Sequence, residues 1–206
     1  MSIVFIISAP SGSGKSTLVG RLMAALPALT FSVSYTTREP RPGERDGESY
    51  CFVARSEFER MIAAGEFLEY VEAFGNYYGT PRRALAESRE KDLDLVLDIE
   101  VKGAAAILSE VPEAVSVFIL APSREVLEAR LRARGETRSD VIARRLARAG
   151  METGHYVNYD YVLINDDLEE TAQNLIGIVR AERARRARMV EKIQPMLETY
   201  RAAQPQ

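Results

Sequence analysis

The chain has 206 residues, with 27 Lys+Arg against 30 Asp+Glu, a net charge of -3 and 46% apolar residues. This excludes a disordered chain and a nucleic-acid-coating protein, and leaves one packed domain with room for a small insertion. One cysteine, Cys51, and one histidine, His155, exclude an intramolecular disulfide, a Cys-based zinc site and a multi-His metal site, and fit a reducing compartment.

Residues 3–7 form a continuous apolar, β-branched run, which predicts a strand buried on both faces of a parallel sheet. The run is short, lacks a preceding basic region and meets a glycine-rich turn, so it is not a signal peptide. Ser11-Gly12-Ser13-Gly14 breaks it, and residues 15–26 carry helical spacing that Pro27 ends. Residues 31–80 change character. Short β segments at 31–34, 50–53, 67–71 and 76–79 surround a loop with Pro40, Pro42, Gly43 and Gly47. Ser56-Glu57-Phe58-Glu59 reads as a capping box opening one helix that Gly65 stops. Residues 38–100 hold nine basic against 15 acidic groups, so this stretch concentrates the negative charge.

The alternating pattern then resumes. Helices are expected at 81–91, 101–108, 122–134 and 139–153, and strands at 93–99, 115–120 and 161–164. Asp167 caps a long helix to about 188, and a further helix ends near Tyr200. Strands alternating with helices imply an α/β parallel sheet covered by helices on both faces. No apolar run approaches the ~20 residues of a membrane span, so a cytoplasmic protein without membrane contact is expected.

Ala9 to Thr17 lies between a buried strand and a helix start, the setting of a phosphate loop. Ser11, Gly12, Ser13 and Gly14 let backbone amides wrap phosphates at the helix N-terminus, together with Thr17. Lys15, one of only four lysines, supplies a mobile positive charge, and the Ser16 hydroxyl suits Mg²⁺. Alanine replaces the usual first glycine at Ala9, a position that need not take positive φ. Such a loop serves GTPases, ATPases and small-molecule kinases alike.

The segments that follow narrow the choice. Ser34 to Glu44, Gly47 to Phe52, Gly75 to Thr80, Leu97 to Glu100 with Gly103, and Val162 to Asp167 closely resemble the guanylate kinase family. The resemblance covers nearly the whole chain in order. It implies a P-loop core at 1–33 and 81–206, a small mixed β/α GMP-binding insertion at 34–80, and a helical lid at about 124–148. It implies transfer of the γ-phosphoryl group of ATP to GMP or dGMP with Mg²⁺, within purine nucleotide metabolism.

By the same resemblance, Arg38 and Arg41 grip the GMP phosphate and Tyr50 and Tyr78 donate to it. Glu69 accepts from the guanine N1–H and amine, with Glu100 taking a further donor, while Ser34 and Thr80 serve O6 and N7. Adenine lacks that donor pair and would leave the carboxylate unsatisfied. Asp98, at a strand end, meets a water on Mg²⁺ or orients the acceptor-site arginines. Asn165 meets the adenine. Residues 124–148 hold eight arginines; Arg130, Arg134 and Arg145 are the ones implied to close over the transferred phosphoryl group, with Arg144 the runner-up. The acceptor oxygen is already anionic, so no general base is required, and His155 reads as structural. Glu72 reads as solvated and Tyr77 as structural. No NKxD element suggests a GTPase, and the arginines of 180–188, interleaved with Glu182, read as a solvated helix face rather than a nucleic-acid site. A monomer or homodimer is expected.

Overall fold

The computed structural model describes residues 2–73, 75–133, 135 and 138–202. Five parallel strands form the main sheet: β1 (Val4–Ser8), β2 (Leu29–Phe31), β7 (Asp94–Asp98), β8 (Val115–Leu120) and β9 (Tyr161–Ile164). Their order is β2-β7-β1-β8-β9. The alternation of β1 explains why its sequence is apolar from Val4 to Ile7. Phe5 and Ile7 face α1 (Lys15–Ala25) and α7 (Leu168–Arg183), through Leu18, Leu22, Leu175 and Val179. Val4 and Ile6 face the other way, onto Ala104 and Ile107 of α4 (Val101–Glu110). A polar residue on either face would lose burial, so both registers are fixed.

A second, four-stranded sheet holds β3 (Tyr35–Thr36), β4 (Cys51–Phe52), β5 (Phe67–Ala73) and β6 (Asn76–Pro81), ordered β4-β3-β6-β5. Helix α2 (Arg55–Ala63) covers it through Phe58 and Met61, with Phe58 stacked on Phe67 at 4.4 Å and on Tyr77 at 5.2 Å. Helix α3 (Arg83–Glu90) returns the chain to the main sheet, and α5 (Arg124–Ala133) and α6 (Ser139–Thr153) share a small core of Leu127, Leu131, Ile142, Leu146 and Ala149. Helix α8 (Arg186–Ala202) closes the order, and no helix of the described residues is long and apolar enough to cross a membrane.

Three local expectations change. The strand expected at 31–34 in the insertion is β2, which pairs with β7 and so forms the edge of the main sheet. The capping box at Ser56 is not formed. Helix α2 starts at Arg55 with Ala54 as its cap, because Glu59 is drawn to the Arg55 guanidinium at 3.0 Å instead of reaching back. Gly65, at φ 67, does end α2: its N–H meets the Ile62 carbonyl while the Glu66 N–H meets Met61. The long C-terminal helix breaks at Ala184, not near 188. Arg188 folds back onto the buried Glu182 carboxylate, which also accepts the Tyr161 hydroxyl at 2.6 Å. The Asp167 cap forms as expected, its carboxylate accepting the Glu170 N–H at 2.7 Å.

Candidate active site

The site gathers at the carboxyl ends of β1, β7 and β9, the edge where open α/β sheets place ligands. Gly12 and Gly14 take φ values of 97° and 94°, which only glycine adopts without strain. Ala9 keeps negative φ, so its side chain costs the loop nothing. A Cβ on Gly12 would lie 2.9 Å from Leu127, so the loop packs directly on α5. Ser11, Ser16 and Thr17 are exposed, whereas Ser13 is buried. Lys15 Nζ donates to the Ile99 carbonyl at 3.1 Å and forms an ion pair with Asp98. Ser16 Oγ lies 3.4 Å from the other Asp98 oxygen. Asp98 thus ties the start of α1 to the end of β7.

Asn165 differs from the expected adenine contact. It is 2% exposed and donates its amide to the Ser13 carbonyl at 2.8 Å, and no Cβ on Gly14 would clear it. Loop amides that face a ligand turn their carbonyls backwards, and a buried carbonyl needs a donor. Asn165 supplies it, so it braces the loop from behind. Its own backbone carbonyl accepts from Arg130 Nη2 at 2.8 Å, while the buried Arg130 Nη1 has no hydrogen bond among the described residues.

On the second sheet, Arg38 donates to Glu44 at 2.9 Å and to the Glu39 carbonyl at 2.6 Å. Its guanidinium lies 5.4 Å from the Tyr50 ring centre, and the Tyr50 and Tyr78 rings are 6.1 Å apart. The Glu44 hydrogen bond holds Arg38 more firmly cationic and Glu44 below the usual carboxylate range. The other Glu44 oxygen accepts the Arg41 backbone N–H at 2.7 Å, so one carboxylate sets the loop that carries both arginines. Arg41 is exposed, and its guanidinium makes no hydrogen bond among the described residues. Burial, followed by the nearby Asp98 charge, pushes the Tyr50 hydroxyl up to about 12.

Glu69 is 9% exposed on β5 and accepts the Thr80 hydroxyl at 2.6 Å. Burial raises its pKa, the Thr80 hydrogen bonds oppose this, and the Glu100 charge adds to it. A Cβ on Gly103 would lie 2.6 Å from Glu69 Oε2, so the carboxylate rests on the first turn of α4, at the positive end of that helix. Thr80 is fully buried, and its proton is committed to Glu69 rather than left for a base. Ser34 is half-buried with its hydroxyl unbonded among the described residues, and Glu100 occupies the N-cap position of α4 with no side-chain capping bond. Glu72 is exposed and paired with Arg55, which also lies over the Tyr77 ring at 4.4 Å.

On α6, Arg144 is 72% exposed and paired with Asp140 along its own helix, whereas Arg145 is half-buried. Arg134 lies outside the described residues. His155 is exposed on the 3₁₀ turn Gly154–Asn158.

Two residues escaped the sequence reading. Glu44 sits three residues beyond Arg41 in the Pro-stiffened loop, a spacing that returns its carboxylate to the Arg41 N–H. Arg148 borders the apolar stripe Ile142, Leu146 and Ala149 of α6 and reaches Glu100 at 2.5 Å and Glu152 at 2.6 Å.

The family model for guanylate kinase matches residues 1–182. The chain is 48% identical over 201 residues to the guanylate kinase of Vibrio parahaemolyticus, spanning 97% of each chain. It is 51% identical over 187 residues to that of Koribacter versatilis, spanning 89% of this chain and 80% of the other. The crystal structure of guanylate kinase from Anaplasma phagocytophilum superposes with a TM-score of 0.76 at 35% identity, over 94% of each chain. By the family model over residues 1–182 and these relatives, the chain belongs to the guanylate kinase family.

Proposed function

We propose that the chain transfers the γ-phosphoryl group of ATP to GMP or dGMP, giving ADP and the guanosine diphosphate, in the cytoplasm. The observation that carries this reading is the engagement of the phosphate loop by Asp98, in a chain 48% identical over 201 residues to a guanylate kinase. Asp98 pairs with Lys15 and lies 3.4 Å from the Ser16 hydroxyl of the phosphate loop. Residues 34–80 act as the GMP-binding insertion and residues 124–148 as the lid on a core of 1–33 and 81–206.

The residues divide by chemistry. Arg38 and Arg41 offer guanidinium forks, and Tyr50 and Tyr78 offer hydroxyls, to the dianionic acceptor phosphate. High Tyr50 pKa keeps its hydroxyl a donor. Glu69 accepts from guanine N1–H and the 2-amine, Glu100 takes the amine's second proton, and Ser34 meets O6. Thr80 orients Glu69. The loop amides and Lys15 hold the ATP phosphates, with Asn165 bracing the loop. Ser16 and Asp98 together present the hydroxyl and carboxylate that a phosphate-bound Mg²⁺ needs, phosphate oxygens and water supplying the rest. Mg²⁺, when bound, neutralises phosphate charge. Arg130, Arg134 and Arg145 stabilise the charge on the transferred group, and lid closure excludes water.

The test is a coupled ADP-release assay across GMP, dGMP, AMP, CMP and UMP. Turnover that favours the guanine nucleotides is expected; rates indifferent to the base would sink the reading.

A further inference from the structure

We propose that Arg148 sets guanine selectivity by holding the Glu100 carboxylate beside Glu69 and tying α6 to the base pocket. This rests on the reading of Glu69 and Glu100 as the guanine-recognising carboxylates. Glu100 occupies the N-cap position of α4, yet its side chain makes no capping hydrogen bond. Arg148 takes it instead: Nη2 donates to Glu100 at 2.5 Å while Nε donates to Glu152 at 2.6 Å. The planar guanidinium thus spans one carboxylate on α4 and another one turn along α6. The ion pairs of Arg138 and Arg144 with Asp140 stay within the start of α6. Arg148 crosses to another element.

Two carboxylates at one recognition edge repel each other, and Glu100 does raise the Glu69 pKa, behind the larger effect of burial. Arg148 balances that charge while leaving Glu69 to its Thr80 bond. Glu100 is 45% exposed and would otherwise turn towards water. Its orientation matters for one proton only. Guanine and hypoxanthine share N1–H, which Glu69 accepts, but only guanine carries the 2-amine that reaches Glu100. Arg145 stands three residues before Arg148 on the same helix face. Correct base contact at Glu100 is therefore transmitted to the helix that carries a phosphoryl-stabilising arginine. Arg148 acts through Glu100 and is a positioning residue.

The experiment compares kcat/KM for GMP and IMP in the wild type, Arg148→Met, Arg148→Lys and Glu100→Gln, with ATP saturation curves and thermal melts alongside. Methionine keeps the stem and removes the fork. The GMP:IMP ratio is expected to fall about tenfold in Arg148→Met, the size of one charge-assisted hydrogen bond on a partly exposed group. KM for ATP should not change. Lysine keeps the charge but cannot span both carboxylates, so it should lie between, and it carries the test if the methionine variant melts early. A ratio within twofold of wild type in both Arg148 variants, with Glu100→Gln lowering it, overturns the proposal and leaves the base reading standing. If Glu100→Gln also leaves the ratio unchanged, the Glu100 reading falls with it. Equal losses for GMP and IMP mean general damage and count against selectivity.

Discussion

Gly103 sits in the first turn of α4, where glycine weakens a helix by about 1 kcal/mol relative to alanine. Gly103→Ala should therefore stabilise the helix if only local propensity mattered. The structure gives the opposing effect. The added Cβ would lie 2.6 Å from Glu69 Oε2, 2.8 Å from its Cδ and 3.3 Å from its Cγ. Carbon contacts settle at about 3.5–4.0 Å, so the carboxylate must move by about 1 Å. Hydrogen bonds to N–H groups tolerate only about 2.7–3.2 Å, and such a shift removes one or both of the bonds proposed to guanine. Each is charge-assisted and worth about 1.5–3 kcal/mol, so GMP affinity should fall roughly 10- to 100-fold. The helix gain and the disturbed Thr80 bond nearly cancel, which keeps the melting temperature within a few degrees of wild type. Calorimetric titration with GMP and with an ATP analogue, plus a melt, makes the measurement. An unchanged GMP affinity, or equal weakening of both nucleotides, would refute the placement of Glu69 in the base pocket.

Lys15→Ala should reduce turnover by orders of magnitude while leaving GMP binding largely intact; turnover within a few-fold of wild type would remove Lys15 from the donor site. Glu69→Gln should weaken GMP far more than ATP. Because burial raises the Glu69 pKa, GMP affinity should decline with acidity at a higher pH than an ordinary glutamate would cause. The GMP phosphate also takes up a proton near pH 6, so the difference between wild type and Glu69→Gln isolates the carboxyl. The stability sign follows: a raised folded pKa gives stabilisation that is present at low pH and lost as pH rises through it, so Glu69→Gln should melt higher than wild type at neutral pH. A lower melt for this variant at neutral pH contradicts the burial argument. Asp167→Ala removes the α7 cap and should cost about 1 kcal/mol in denaturant unfolding, with no change in either nucleotide KM.

The elements of the main sheet were legible because burial on both faces leaves an unbroken apolar signature, as in residues 3–7 and 115–120. The helix at 139–153 and the Asp167 cap were legible for a similar local reason: periodicity and capping chemistry lie within a few residues. The failures are tertiary. β2 is three residues long and reads as part of the insertion, since its partner β7 lies more than sixty residues away. The break at Ala184 has no glycine or proline to announce it; it follows from Arg188 meeting Glu182, and from Arg183 reaching Asp94 at 2.7 Å. Two arginines of a stretch that reads as solvated are thus structural. In the site, residue types were legible and commitments were not. Nothing local in Asn165 says that it faces loop backbone, and nothing in Thr80 says that its proton goes to Glu69.

The cations of the site share a pattern that bears on how catalysis is restrained. Lys15 pairs with Asp98, Arg38 with Glu44, and Arg148 with Glu100. A carboxylate within hydrogen-bond reach fixes the geometry of a flexible cation, yet it is a weaker partner than a phosphate that brings more charge and three oxygens. At Lys15 and Arg38, phosphate binding would exchange one anion for another instead of ordering a free side chain, which lowers the entropic cost of assembling the site, whereas the Arg148–Glu100 pair is kept. Arg41 and Arg145 lack such a hydrogen-bonded carboxylate among the described residues, and they lie on the acceptor loop and on the lid helix respectively. If residues 124–148 close over bound phosphate as proposed, Arg145 is brought to the site with no carboxylate to leave, whereas Lys15 and Arg38 wait already paired. Water alone would not draw those cations together, so such an arrangement would restrain ATP hydrolysis without any residue devoted to preventing it.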